Sequence, residues 1–180
     1  MQSGLRKGLM GIGLLGGLVL GGGPSRADSP VTTEPPVAPS TAAVLGKLHL
    51  ADQKEIQAGE IAEKNGQSGQ VRRYGEMLVQ DHTAADKKVA ALAQEENIDL
   101  KANTPAPSPN DMGTMATTGA TFDRMFAQDM AQDHKKDINE VTAVRNTTTD
   151  PKLRALLTDL LPTLEKHETM AQKIIDAQAK

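Results

Sequence analysis

The chain contains no cysteine and no tryptophan, and its aromatic residues are Tyr74, Phe122 and Phe126 among 180 residues. Without thiols, no disulfide can staple the fold, and thiolate chemistry and thiolate metal sites are excluded. With so few aromatics, Leu, Val, Ala and Met must fill the core, which disfavours a cradle for haem or flavin. Beyond the N-terminus no apolar stretch approaches the ~20 residues needed to cross a bilayer as a helix. The later segments follow a helical period and not the alternating ten-residue strands of an outer-membrane barrel. No Gly-rich phosphate loop and no nucleophile elbow occurs, which counts against phosphoryl transfer and hydrolases of that type.

The N-terminus has three parts. Arg6 and Lys7 precede an uncharged run from Gly8 to Gly23, which is followed by Pro24, Ser25, Arg26 and Ala27. This is the layout of a secretory signal, with small side chains at Ser25 and Ala27 directing cleavage between Ala27 and Asp28. The run is short for a span and diluted by glycine, so a cleaved signal peptide over residues 1–27 is expected rather than an anchor. No cysteine follows it to carry a lipid. The expected location is the periplasm or outside the cell, with no transmembrane span after cleavage. Cleavage removes three basic residues and no acid, leaving 17 basic and 23 acidic side chains, a net charge of minus six. That sign points away from nucleic acid as a partner.

Residues 28–40 carry Pro30, Pro35, Pro36 and Pro39 among Ser, Thr and Asp, the composition of an extended tether. From Ser40 or Thr41 onward the apolar period is helical, and residues 41–180 are expected to form one domain. Helix one, over Ala42 to Lys64, has Leu45, Leu48, Ile56 and Ala62 on one stripe, and residues 65–69 break it. Helix two, capped by Ser68 and ending near Asn97, carries Val71, Tyr74, Leu78, His82, Ala85, Val89 and Leu92 at spacings of three and four. The proline-bearing stretch from Asp99 to Gly119 has no sustained period and reads as a long loop.

Helix three begins near Thr121. Helix four begins at Asp150 and Pro151, an N-cap followed by proline in the first turn. Two helical hairpins joined by a long crossover are the connection pattern of an all-α, ferritin-like four-helix bundle. Pro162 falls inside helix four, where it removes a backbone hydrogen bond and bends the axis.

Each of the four histidines, His49, His82, His134 and His167, falls on a different helix, on or beside its apolar stripe. Counting outward from the first turn places position 82 opposite position 52, with His49 and Glu55 less than a turn away. Similar counting from the second turn brings His134 and His167 to the same height. Asp52, Asp86 and Asp137 follow His49, His82 and His134 by three or four residues, so each acid shares a helix face with its histidine. Imidazoles and carboxylates on facing helices are the donors from which a bundle builds a zinc, iron, manganese or copper site. A carboxylate that does not ligate can instead orient a ring. There is no Glu-x-x-His spacing of the kind that marks di-iron bundles. The sequence Gln80-Asp81-His82 recurs as Gln132-Asp133-His134, a weak internal echo.

Together the segment Gln80-Asp81-His82-Thr83 with Asp86, the Asp133-His134 step, and Leu161-Pro162-Thr163-Leu164 leading to His167 resemble the bacterial domain-of-unknown-function family 4142. Glu55 with Gly59 and Ala62 also fits that family's first helix. The family has a small residue where His49 stands, and the loop from Asp99 to Gly119 is longer than usual. The resemblance covers roughly residues 44 to 177. It implies a ferritin-like fold and an export route, since members are often labelled predicted outer-membrane or exported proteins, and it implies no particular reaction.

Two functional expectations follow. In the first, an exported bundle binds or senses a divalent transition metal through some of His49, Glu55, His82, Asp86, His134, Asp137 and His167, for envelope or stress protection and not for turnover. In the second, the bundle is a metal-free structural or interaction module of the envelope whose buried histidines form a pH-responsive network.

Overall fold

The computed structural model describes residues 39–104 and 117–179, and all regular structure among them is helical. The long helices are α1 (Thr41–Asn65), α2 (Gly69–Glu95), α4 (Gly119–Thr147) and α5 (Pro151–Gln178), and α3 (Leu100–Asn103) is a single turn. The expected signal peptide over 1–27, most of the tether over 28–40 and the loop residues 105–116 lie outside the described residues.

The caps are local and follow the sequence. Ser40 Oγ accepts from the Ala43 amide at the start of α1, and Ser68 Oγ accepts from the Val71 amide at the start of α2. Asp150 accepts from the amides of Lys152 and Leu153, with Pro151 in the first helical position. At the end of α2, Asn97 takes a left-handed φ of 54°, and the Ile98 amide closes back on Ala93 O at 2.8 Å. One turn of the stretch expected to be loop is helical, because Asp99 caps it through the Lys101 and Ala102 amides. This turn, α3, lies on α1 at Gly46, where a Cβ would stand 2.0 Å from the Asn103 carbonyl oxygen. Only glycine permits that approach.

The helices pair as two hairpins, α1 with α2 and α4 with α5, and α2 packs beside α5. Two sets of contacts fix the ends. At one end Thr41 Oγ1 donates to Asp150, and Lys152 reaches Glu95 and Glu96. At the other, Asp123 near the start of α4 accepts from the Gln67 and Ser68 amides in the α1–α2 turn at 2.8 and 2.7 Å. Helices α2 and α4 therefore run parallel, and α3 and the start of α4 lie at opposite ends of the bundle. This is the hairpin–crossover–hairpin arrangement of a ferritin-like bundle. No helix among the described residues is long and apolar enough to cross a membrane. Pro162 sits on the exposed side of α5, and the helix continues through it.

The core is divided. One apolar cluster, near the α1–α2 turn, includes Tyr74, Leu78, Phe122, Phe126 and Met130. A second, at the opposite end, includes Leu45, Val89, Val141, Leu153 and Leu157. Between them lie the buried polar residues Asp52, Glu55, His82, His134 and His167, with Ala85 and Leu160 alongside.

Asp123 is itself buried, and its two backbone bonds join the hairpins. Replacing it with alanine leaves two amides without their partner and should lower the unfolding free energy by roughly 2–3 kcal/mol. Urea denaturation checks this as a lower midpoint at unchanged slope. A midpoint equal to wild type would mean that the turn finds other acceptors.

Candidate metal centre

The polar layer arises because each helix places hydrophilic residues on its inward stripe for about one turn. On α1 that stripe is Leu45, Leu48, Asp52, Glu55, Gly59 and Ala62, at spacings of three and four, with Asp52 and Glu55 buried. Ile56, expected on the stripe, is only half-buried beside them. On α2 the inward residue at this height is His82, on α4 it is His134, and on α5 it is His167, all three buried. Just beyond the layer, Gly59 and Gly75 face each other, and a Cβ on either would stand 2.6 Å from the other's carbonyl oxygen. This contact draws α1 and α2 together.

The three rings form a triangle with centroids 5.0, 5.1 and 5.7 Å apart. One ring nitrogen from each lies within 4.8 Å of the others. What distinguishes the cluster is the partner on each opposite nitrogen. His82 Nδ1 meets Asp52 Oδ1 at 2.8 Å, His134 Nδ1 meets its own helix's Met130 carbonyl at 2.9 Å, and His167 Nε2 meets Asp81 Oδ2 at 2.9 Å. A carbonyl or ionised carboxylate only accepts, so each of these nitrogens carries the proton in a neutral ring. The remaining lone pairs are on His82 Nε2, His134 Nε2 and His167 Nδ1.

Those lone pairs converge. His134 Nε2 and His167 Nδ1 are 3.2 Å apart, and His82 Nε2 has no hydrogen-bond partner although it is buried. Whichever nitrogen of a neutral His167 carries the proton, one of its two contacts sets a lone pair against another. A proton or a metal cation relieves the conflict. Two imidazoles on one tetrahedral ion, at ~2.0–2.1 Å from it, have nitrogens roughly 3.3 Å apart, close to the spacing found here. The donor set therefore fits a metal ion.

Burial keeps an added proton off two of the three rings. Burial pushes His134 down to about 3 and His167 down to about 4, so neither ring holds an extra proton at neutral pH. Burial opposes a charged His82 too, but its hydrogen bond to Asp52 and the nearby Glu55 carboxylate outweigh that and raise it. Asp81 stays below the ordinary carboxylate range despite partial burial, because Lys166 and His167 both bond to it. Burial raises Glu55 to about 7, and its Oε2 has no partner. Asp137 is raised to about 6 by burial and by the neighbouring Asp133 and Glu140 charges. Tyr74 closes one side, its hydroxyl donating to the His167 carbonyl oxygen at 3.0 Å.

Of the seven residues singled out in the sequence, the fold brings His82, His134 and His167 into one cluster, with Glu55 and Asp137 beside it. His49 and Asp86 instead pair with each other at 2.6 Å, partly exposed, one turn away, with Gln53 on the second Asp86 oxygen. Two carboxylates outside that set orient rings. Asp52 had a usable signal, since it was the position placed opposite His82. Asp81 had none beyond its membership of the Asp81-His82 step, because its partner is 86 residues away.

No curated protein and no solved structure matches this chain. The profile of the family described as Domain of unknown function (DUF4142) matches residues 26–174, which takes in α1, α2, α4 and nearly all of α5 with every residue of the polar layer. The match covers most of the sequence and agrees with the motifs around His82, His134 and His167: the protein belongs to the DUF4142 family.

Proposed function

We propose that this protein is an exported, periplasmic bundle that binds one divalent transition-metal ion at His82, His134 and His167, serving metal binding or sensing in envelope or stress protection. The observation that carries this reading is the convergence of three buried imidazole lone pairs whose opposite nitrogens are all held by fixed acceptors. Such second partners set the tautomer and aim of metal-ligating histidines. Neutral imidazole donors suit zinc, copper and iron, with manganese a poorer match. Three protein ligands leave further positions for water or a side chain, and Glu55 beside the cluster has a buried carboxylate oxygen without a partner. Export rests on the three-part N-terminus, which supplies a cleavage point between Ala27 and Asp28.

The mature protein, purified from periplasm without chelators, should begin at Asp28 by intact mass and carry close to one metal per chain by elemental mass spectrometry. The His82→Ala/His134→Ala variant should carry none. Asp52→Ala should bind roughly 10–100-fold more weakly, the usual effect of losing a ligand's orienting partner. His49→Ala should keep full occupancy. Wild type that is metal-free and takes up no zinc, iron, manganese or copper at ~micromolar concentration would leave the histidines as a polar network alone.

The metal-free state has its own pH signature. His134 and His167 gain protons in the unfolded chain below about 6.5 but resist them in the fold, so they reduce stability as the pH falls from there. Glu55 acts in the opposite sense. Its folded value of about 7 lies above the ordinary 4.5, so its stabilising contribution is complete below 4.5 and is lost as the pH rises through 7. The difference in Tm between Glu55→Gln and wild type, measured by calorimetry in chelator, should therefore favour the variant by roughly 3–8 °C more at pH 8 than at pH 4.5. A difference independent of pH would show that Glu55 titrates as it does in water.

A further inference from the structure

One cavity touches the histidine cluster. It has a volume of about 90 Å³, room for several waters, and it opens between α1 and α4 with α5 along one side. Its charged and titratable lining changes with depth. Lys47 and Glu140 are exposed, Asp137 is half-buried, and Asp52 and His82 are buried. Most of the remaining wall is apolar.

The two buried residues at the inner wall each carry an unsatisfied atom behind it. Asp52 Oδ2 and His82 Nε2 are buried with no hydrogen-bond partner, and their side chains are 9% and 5% exposed. His82 Nε2 is one of the three converging lone pairs. The cavity thus leads from the surface to the His82 side chain past three carboxylates, with a single lysine at the rim. Aligned carboxylates with apolar walls concentrate cations, since a low-dielectric lining focuses the field along the opening.

We infer that this cavity is the path by which a divalent cation reaches the three histidines, with Glu140 and Asp137 as successive carboxylate stations and Asp52 at the inner end. The inference rests on the metal-site reading and adds the direction of approach. Asp137 then has a role other than that of a permanent ligand: it holds the ion in transit and releases it to the histidines. The crowding of Asp137 by Asp133 and Glu140 fits a position that a passing cation stabilises. On other sides of the triangle, Tyr74 and Met130 belong to the adjoining apolar cluster, and Asp81 is engaged by both Lys166 and His167.

The test is the rate of loading of metal-free mature protein with cobalt(II) or zinc(II), followed by stopped flow at low ionic strength, with final stoichiometry read at equilibrium. Asp137→Asn/Glu140→Gln should load about tenfold more slowly than wild type, the lower end of electrostatic steering effects. It should reach the same one-to-one stoichiometry, and the difference should shrink as salt is added. Glu95→Gln/Asp159→Asn removes the same charge from exposed positions with side chains 60% accessible and should load at the wild-type rate. Equal rates in wild type and the cavity variant, or equal slowing by the exposed pair, would overturn the path while leaving the site intact. Loss of stoichiometry in the cavity variant would also overturn it, by making Asp137 a ligand. Wild type that loads no metal at all would defeat the site itself and the path with it.

Discussion

The contact between His134 Nε2 and His167 Nδ1 is the constraint on which the middle of the bundle depends. Each ring is already committed through its other nitrogen, so the pair is one positive charge short of a stable arrangement at neutral pH. The two commitments differ in origin. The His134 proton is fixed by a carbonyl of its own helix, so that ring is set as soon as α4 forms. The His82 and His167 protons are fixed by carboxylates from neighbouring helices, Asp52 on α1 and Asp81 on α2, so those rings are set only when the helices pack. Helix α2 is the centre of this arrangement. It supplies one ring, the acceptor for another, and in Tyr74 a hydroxyl that ties α5 to it at the His167 carbonyl oxygen.

A polar layer through the core weakens a bundle unless the layers around it compensate. Here an apolar cluster lies on either side, and the Gly59–Gly75 contact holds α1 against α2 next to the layer. The unpartnered Asp52 Oδ2, Glu55 Oε2 and His82 Nε2 are each a burden in the metal-free protein, because a buried polar atom without a partner forfeits its hydration. A cation bound as proposed would satisfy His82 Nε2 and stabilise the surrounding carboxylates through its charge. Its binding free energy would then add to the stability of the fold, since an unfolded chain has no assembled site.

The sequence made the architecture legible because its signals are local. Serine and aspartate caps, the Asp150-Pro151 start and the three-four spacing on α2 each act within a few residues, and the structure follows them. Counting residues from the turns also carried across space: position 82 was placed opposite 52, and His82 bonds to Asp52. What the pattern obscured was which side of α1 faces inward. Ile56 is apolar and Asp52 and Glu55 are acidic, so hydrophobicity alone favours the isoleucine, yet the helical phase set by Leu45 and Ala62 buries the acids. His49 follows from the same phase, lying on the flank of the stripe and pairing with Asp86 at the rim. Asp81 could not be assigned from spacing, because its partner lies on α5. The turn α3 was hidden in a proline-bearing stretch, although the capping aspartate at its start was visible.

The donor types and the missing cysteines belong to one argument. For a protein proposed to work outside the cytoplasm, a thiolate site would face oxidation, whereas imidazole and carboxylate do not change state with the redox conditions of the compartment. Such ligands bind a metal only as firmly as their geometry allows, so accuracy of placement has to come from the surrounding protein. In the proposed site that part would fall to Asp52, Met130 and Asp81, which hold the ring nitrogens opposite the cluster. The 3.2 Å spacing of two lone pairs follows from this preorganisation: the bundle holds them near the distance that a shared ion needs, although nothing in the metal-free protein rewards it.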